Sequence, residues 1–485
     1  MRWGRVVVCV VLLTGSVWAT AGSPAVGAAV GAAASTPTAW DPRLQPIADK
    51  VAELRNLKFD HPVTAKFLTA AAFEKKVAVD KGKLTKQDKA EIARSQAQLR
   101  AVGLIGPTVD LVDAVSSLQT SGVLAYYDPK TKKVTVKGTT IDDVSTRVTL
   151  AHELTHALQD QHFDLQKLEK AATKAHASTP LQTLVEGDAV RIQQAYTSSL
   201  SQTDQDAYQA AQASTSATAR TEITAKGVPE ALAVLFEAPY DLGQTMLDAV
   251  ISKEKVAGVD ALFVHPPTAD AAYVTPSTLL EHRVFPDVAP PALAKGERAA
   301  GKPDTFGAFA LYQVLASRLD PSVALTAADA WGGDAMVTFT RKGTTCLRAK
   351  FVGKTPDGTQ SIDSALSQWA AQMPAGAAQV DAKAERVTLT ACDPGATATE
   401  APNRALQALV FVATRDGLFA EVVRQGLPVA VASCAADALV RDPAFKPVID
   451  GAVADPSAGL DPGALAGVQA RAPAILSDCT ASRSA

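Results

Sequence analysis

Charge of one sign is missing from this sequence: 47 Lys and Arg stand against 50 Asp and Glu, a formal net charge of −3. A surface so balanced carries no electrostatic footprint for nucleic acid or anionic lipid, and neither is expected as a partner. Long apolar runs are also missing beyond the N-terminus. The nearest, around Leu427 to Val440, is too short to cross a bilayer. Cysteine is rare, five in 485 residues, and no two have the CxxC spacing of a cysteine-built metal or redox site. With 47% hydrophobic and 20% charged residues, what remains is a globular chain long enough for two or three domains.

The N-terminus is different. Met1 to Arg5 carries two arginines, Val6 to Leu13 is unbroken apolar, and Ala19-Thr20-Ala21 fits a small-residue cleavage site. Residues 1–21 therefore read as a secretory signal, with a retained anchor as the alternative, and residues 22–39, rich in Ala, Gly, Ser, Thr and Pro, as a flexible lead-in. The expected location is extracellular, free or at the cell envelope, with no stable membrane span once the signal is removed. Its removal takes Cys9 and leaves Cys346, Cys392, Cys434 and Cys479. An even number in an exported chain implies two disulfides. Cys346–Cys392 and Cys434–Cys479 are favoured, because each pair falls within one local unit.

The chemistry concentrates in RVTLAHELTHALQDQHFDL, residues 147–165, where His152, Glu153 and His156 form a complete H-E-x-x-H. Apolar residues flank them at helical spacing. Residues four apart lie one above the other on a helix, so both imidazoles can face one metal ion. Glu153, next to the first histidine, is placed to take a proton from water rather than to ligate.

Around this motif the pattern alternates between helix and short strand. Ile47, Val51 and Leu54 share a helical face, Pro62–Leu68 reads as a strand, and Ala70–Val79 and Thr85–Val102 read as helices, the second capped by Thr85 and ended at Gly103. Val123–Tyr127 and Lys133–Val136 flank a turn and predict a hairpin whose edge could receive an extended peptide. Thr179-Pro180 opens a further helix, with Thr179 as N-cap. Ser198–Lys226 predicts a solvated helix or mobile insertion, and LAVLFEAPYDLGQTMLDAVI a strand or turn leading into a helix. Residues 286–305, rich in Pro and Gly, read as a linker. Beyond it come a helix over Phe306–Leu319, a hairpin over Met336–Phe351 turning at Gly343, a strand at Arg386–Thr390, and mostly helix to the end. The expected class is α+β: a mostly helical domain with a small antiparallel sheet over 40–285, and a disulfide-stapled C-terminal α/β region over 306–485.

A catalytic zinc site needs a third protein ligand. One candidate is Glu186, within an apolar helical stripe where a lone carboxylate is costly unless partnered. Its neighbour Gly187 weakens the helix by about 1 kcal/mol relative to Ala, which suggests close approach of another backbone. The rival is His162, ten positions after His152, as in the longer H-E-x-x-H-x-x-G-x-x-H pattern. That pattern uses a glycine to turn the chain, and Gln159 stands there instead, so Glu186 is preferred. Tyr240, His265 and Tyr273 are candidate oxyanion donors, and Asp188, Asp160 and Asp164 candidate partners of the imidazole N–H groups.

The chain resembles the bacterial and archaeal secreted or membrane-linked neutral zinc metallopeptidases, a gluzincin-like group. The resemblance rests on ELRNLKFDHPVTAKFL (53–68), GVLAYYDPKTKKVTV (122–136), LAHELTHALQDQHFDL (150–165), LVEGDA (184–189), FEAPYDLG (236–243), HPPT (265–268) and AWGGD (330–334). HELTHALQDQ with VEGDA is the specific part. The resemblance implies a zincin-like fold, a zinc ion on His152, His156 and Glu186, and Glu153 as the base that activates water to hydrolyse peptide bonds in a protein or peptide substrate. In one departure, Ala269-Asp270-Ala271-Ala272 replaces a polar Ser-Thr-Glu-Gln run, which puts specificity or activity in question. The segment around Trp331 reads as packing and turn. The contrasting expectation is a catalytically weak or inactive zincin-fold binding module of the cell envelope; a hydrolase acting on another amide, such as a cell-wall peptide, would use the same residues.

Overall fold

The computed structural model describes residues 39–484 except Ala401, Asn403 and 455–461. The signal over 1–21, Cys9 and nearly all of the lead-in lie outside the described residues.

Local sequence explains most element boundaries. Thr85 caps the helix Lys86–Ala101 in a reciprocal capping box with Asp88, and Gly103 follows it at φ +70°. Thr69 caps Ala70–Val77 by accepting the Ala72 N–H. The predicted hairpin is β2 (Ala125–Asp128) and β3 (Lys133–Lys137), closed where Lys132 donates to the Asp128 carbonyl at 2.8 Å. β1 (Thr64–Leu68) joins β3 in parallel, giving the order β1-β3-β2 with β2 at an edge. Val134 and Val136 alternate inward and pack with Leu150, Leu154 and Leu158 of the motif helix Val144–Phe163. The small sheet is thus the floor under the H-E-x-x-H.

A second, fully antiparallel sheet holds β4 (Glu297–Ala299), β5 (Trp331–Arg341), β6 (Thr344–Gly353), β7 (Ala378–Lys383) and β8 (Arg386–Cys392), in the order β4-β5-β6-β8-β7. Its central hairpin turns at Lys342-Gly343, both at positive φ, as the glycine suggested. Cys346 and Cys392 face each other across β6 and β8 and are bonded; Cys434 and Cys479 form the second disulfide. Both are the favoured pairings.

Several elements differ from the sequence expectation. The helix expected to open at Thr179-Pro180 runs Ser178–Ser198, with Ala177 at its N-cap and no side-chain cap. The segment expected to be a strand or turn before a helix is helical throughout, Glu230–Val264, with Pro239 inside and a break at Lys255 (φ +63°). A proline inside a helix costs about 3 kcal/mol. Here Leu235, Ala238, Pro239, Leu242 and Met246 are all buried, and each large apolar side chain contributes about 1.5–3 kcal/mol, so packing prevails. Gln202–Ala225 is a helix that buries no residue, the solvated one of the two alternatives. Residues 286–305 contain β4, and β7 is a strand the sequence did not announce.

One apolar core joins the long helix to the later elements: Leu242 and Met246 share it with Phe309, Leu311, Phe351 and Trp369. Among the described residues, no helix is long and apolar enough to cross a membrane.

The run Ala269–Ala272 has a structural task. Asp270 accepts the N–H groups of Ala308 (2.7 Å) and Phe309 (3.0 Å), capping the helix Ala308–Ala316, while Ala271 and Ala272 are buried. Asp334 takes the preceding amides of Phe306 and Gly307 together with the Trp331 indole N–H. The segment around Trp331 packs as expected, but it opens strand β5 with a bulge between Trp331 and Gly333 rather than forming a turn. Burial pushes the Asp270 carboxyl up to about 7 and Asp334 up to about 6, against the pull of those N–H groups. A carboxyl whose folded pKa exceeds its unfolded value of about 3.9 holds its proton more tightly in the fold. Its stabilising contribution is complete below the unfolded value and is lost as pH rises through the folded one. Asp270→Asn should therefore flatten the decline in unfolding free energy between about pH 4 and pH 7, measured by urea titration at several pH values.

Candidate metal centre

The motif helix begins at Asp143, whose carboxylate caps Thr146, and continues unbroken to Phe163. His152 and His156 project from it one turn apart, 5% and 3% exposed, with their Nε2 atoms 3.0 Å from each other. Glu186, 1% exposed, comes from the neighbouring helix Ser178–Ser198, and its Oε2 lies 3.3 Å from both nitrogens. The expected carboxylate is where the pair needs it.

Two glycines explain how it gets there. A Cβ on Gly187 would stand 2.3 Å from the Gly243 carbonyl carbon, and one on Gly243 would stand 2.3 Å from the Thr183 carbonyl oxygen. The Glu186 helix and the long helix therefore cross backbone against backbone, as the glycine beside Glu186 suggested. The crossing also brings in Tyr240, three residues before Gly243, whose ring stacks on His152 at 6.3 Å between centroids and 27° between planes. Burial raises the Tyr240 phenol well above its usual pKa, and the Glu186 and Glu153 carboxylates raise it further. It stands protonated beside the cluster.

The donor set suits a cation. Tetrahedral zinc with metal–nitrogen distances of about 2.0–2.1 Å holds its ligand atoms about 3.3 Å apart; here the three separations are 3.0, 3.3 and 3.3 Å. Glu186 Oε2 is buried without a hydrogen bond, although two ring nitrogens face it. Burial alone would strip charge from His156 and Glu186. The attraction between them prevails, lifting His156 to about 9 and pushing the Glu186 carboxyl below the usual range. Two imidazole nitrogens and a carboxylate oxygen, buried this close together, can hold a metal ion that takes the place of the proton.

Glu153 is buried on the sheet side of the same helix, where its Oε2 accepts the Tyr127 backbone N–H at 2.6 Å. It is close enough to raise the pKa of both His156 and Tyr240. The other candidates lie elsewhere. Six residues beyond His156 is roughly 240° around a helix; His162 accordingly points outward, exposed, with its Nε2 2.7 Å from the Lys58 carbonyl. His265 is exposed at the end of the long helix, and Tyr273 is packed against Phe309.

Of the expected imidazole partners, none touches a ring directly. Asp164 is exposed and caps the next helix at Lys167. Asp160 accepts from the Tyr127 hydroxyl and Lys132, both at 2.7 Å, and so ties the hairpin to the motif helix. Asp188 is one step removed. The residue that meets the histidine is Gln159, whose Oε1 is 3.0 Å from His156 Nδ1, and whose amide donates to Asp188 at 3.0 Å and to the Val185 carbonyl at 3.1 Å. The available signal is helical: Gln159 sits three residues after His156, on the same face. Arg55 is a second residue that sequence reasoning misses; it binds Asp188 from the first helix, Gln45–Arg55, at 2.8 Å with no exposure. No family model, no curated protein and no solved structure matches this chain.

Proposed function

We propose that this chain is a secreted zinc-dependent peptidase of zincin-like fold, with His152, His156 and Glu186 as metal ligands and Glu153 as general base. The reading agrees with the resemblance to the gluzincin-like neutral metallopeptidases. The observation that carries it is the near-equilateral triangle of two imidazole nitrogens and one carboxylate oxygen, each separation within 0.3 Å of the others, with a second carboxylate beside it.

Bound in that triangle, a zinc ion supplies Lewis-acid polarisation and a water of lowered pKa. The protein groups do the rest. Glu153 takes the proton of the attacking water and passes it to the leaving amine. The Tyr127 N–H holds one of its oxygens and leaves the other for proton transfer. Tyr240, whose ring stacks on His152, is the donor proposed for the developing oxyanion. Tyr127 lies on edge strand β2 and turns its N–H away from β3 toward Glu153, so the outer edge of β2 faces the same side as the base. An extended peptide added along that edge would pass the reacting groups. Two disulfides suit an exported enzyme.

The test is Glu153→Gln. Zinc content should stay at the wild-type level while cleavage of an unstructured protein such as casein falls by about 10²–10⁴-fold. Zinc-loaded wild-type protein that cleaves no peptide would refute the peptidase reading.

A further inference from the structure

We propose that Arg55 is a positioning residue for the metal centre, acting through Asp188 and Gln159 to fix the tautomer and orientation of His156. This rests on the reading of the His152–His156–Glu186 cluster as a metal site. Arg55 ends the first helix, and Asn56 turns the chain away in the left-handed region (φ +57°), leaving the guanidinium directed inward. It is fully buried, with Nε on Asp188 at 2.8 Å and Nη2 on Asp260 at 2.6 Å. Asp188, also fully buried, divides its oxygens: Oδ1 takes Arg191 at 2.7 Å, and Oδ2 takes both Arg55 and the Gln159 amide.

The consequence for the histidine is one of donors and acceptors. The Gln159 nitrogen faces two oxygens, Asp188 Oδ2 and the Val185 carbonyl, which only an NH₂ group satisfies. Its oxygen must then be the atom facing His156 Nδ1. That nitrogen carries the proton, and in the neutral ring Nε2 is left with the lone pair, directed at Glu186 and His152. A flipped amide would set an oxygen against two oxygens. Asp188, paired with both Arg55 and Arg191, offers Gln159 only an acceptor, which makes that flip costly.

Stability gives no reason for this arrangement. Taking each ion out of water costs several kcal/mol, and well-packed apolar residues often do as well or better. What the ions add is a directional chain of hydrogen bonds running from the first helix to a ligand.

The test uses the full mature chain, stripped of metal, with Zn²⁺ affinity read by competition against a chelator and folding followed by the melting temperature of the metal-free protein. Gln159→Leu should weaken Zn²⁺ by about 10–100-fold, the usual effect of losing a partner behind a ligating histidine. Arg55→Met should weaken it by about 10-fold, and the double variant should lose no more than Gln159→Leu alone, since Arg55 acts through that amide. Arg55→Lys, which keeps the charge but cannot bridge Asp188 and Asp260 together, should fall between, and it serves in the same cycle if Arg55→Met does not fold. Unchanged affinity in the Arg55 variants, or losses that multiply in the double variant, would overturn the proposal. Wild-type protein that binds neither Zn²⁺ nor Co²⁺ would instead refute the metal site itself.

Discussion

Glu186→Ala should abolish tight zinc binding and, with it, peptide hydrolysis, in a protein that still folds. The carboxylate supplies one of the three donors gathered there and all of the negative charge among them, so its loss should exceed the 10–100-fold typical of partners behind a ligand. Two imidazoles would then face a pocket with no counter-charge, and His156, now lifted to about 9 largely by Glu186 despite its burial, would lose the group that favours its charged form. Zinc content after dialysis against a weak chelator, measured beside His162→Ala, decides the matter. Zinc should stay with His162→Ala, because that ring lies exposed against the Lys58 carbonyl. Full zinc retention by Glu186→Ala would remove the site proposed here.

Gly187→Ala should destabilise the protein, although the helix containing it would by itself gain. Propensity favours alanine over glycine in a helix by about 1 kcal/mol. The added methyl, however, would stand 2.3 Å from a backbone carbon of Gly243, and neither helix can yield without moving its neighbours. Overpacking of this kind costs about 1–3 kcal/mol, more where backbone meets backbone, so the net change should be a loss on the order of 2 kcal/mol. Zinc affinity should fall as well, because the same crossing fixes the reach of Glu186 from one helix and Tyr240 from the other. Urea denaturation gives the sign directly, and an increase in stability would show that the helices are not held at this distance.

Much of this site is legible in the amino-acid sequence. The four-residue spacing of His152 and His156 is a property of one helix. Glu186 declares itself by being a carboxylate inside an apolar stripe with a glycine beside it. Local chemistry likewise announces the Thr85 cap, the turn at Gly343 and the cysteine pairs. The residues that escape such reasoning act across long sequence distances or through tertiary contacts. Gln159 stands out in the sequence only as the place where a glycine is missing. Arg55 meets Asp188 across 133 positions, and nothing near either residue indicates the other. The start of the Glu186 helix is hidden because no side chain caps it, and the long helix because its proline is outweighed by burial that only tertiary contacts provide.

The shared core bears on how the protein can be handled. The long helix that carries Tyr240 and Gly243 is covered on one side by elements from beyond residue 305: Glu230 receives the Leu406 N–H at 3.1 Å, and Leu242 and Met246 pack in one cluster with Phe309 and Leu409. Arg415 donates to the Val274 carbonyl, and Asp329 accepts from the Thr275 hydroxyl at 2.7 Å, lacing the two halves together once more. Expressing residues 40–285 alone would strip the outer wall from the helix that positions the Tyr240 phenol. The fragment should aggregate or remain molten, and efforts to shorten this chain are better directed at the solvent-facing helix Gln202–Ala225 than at the C-terminal half.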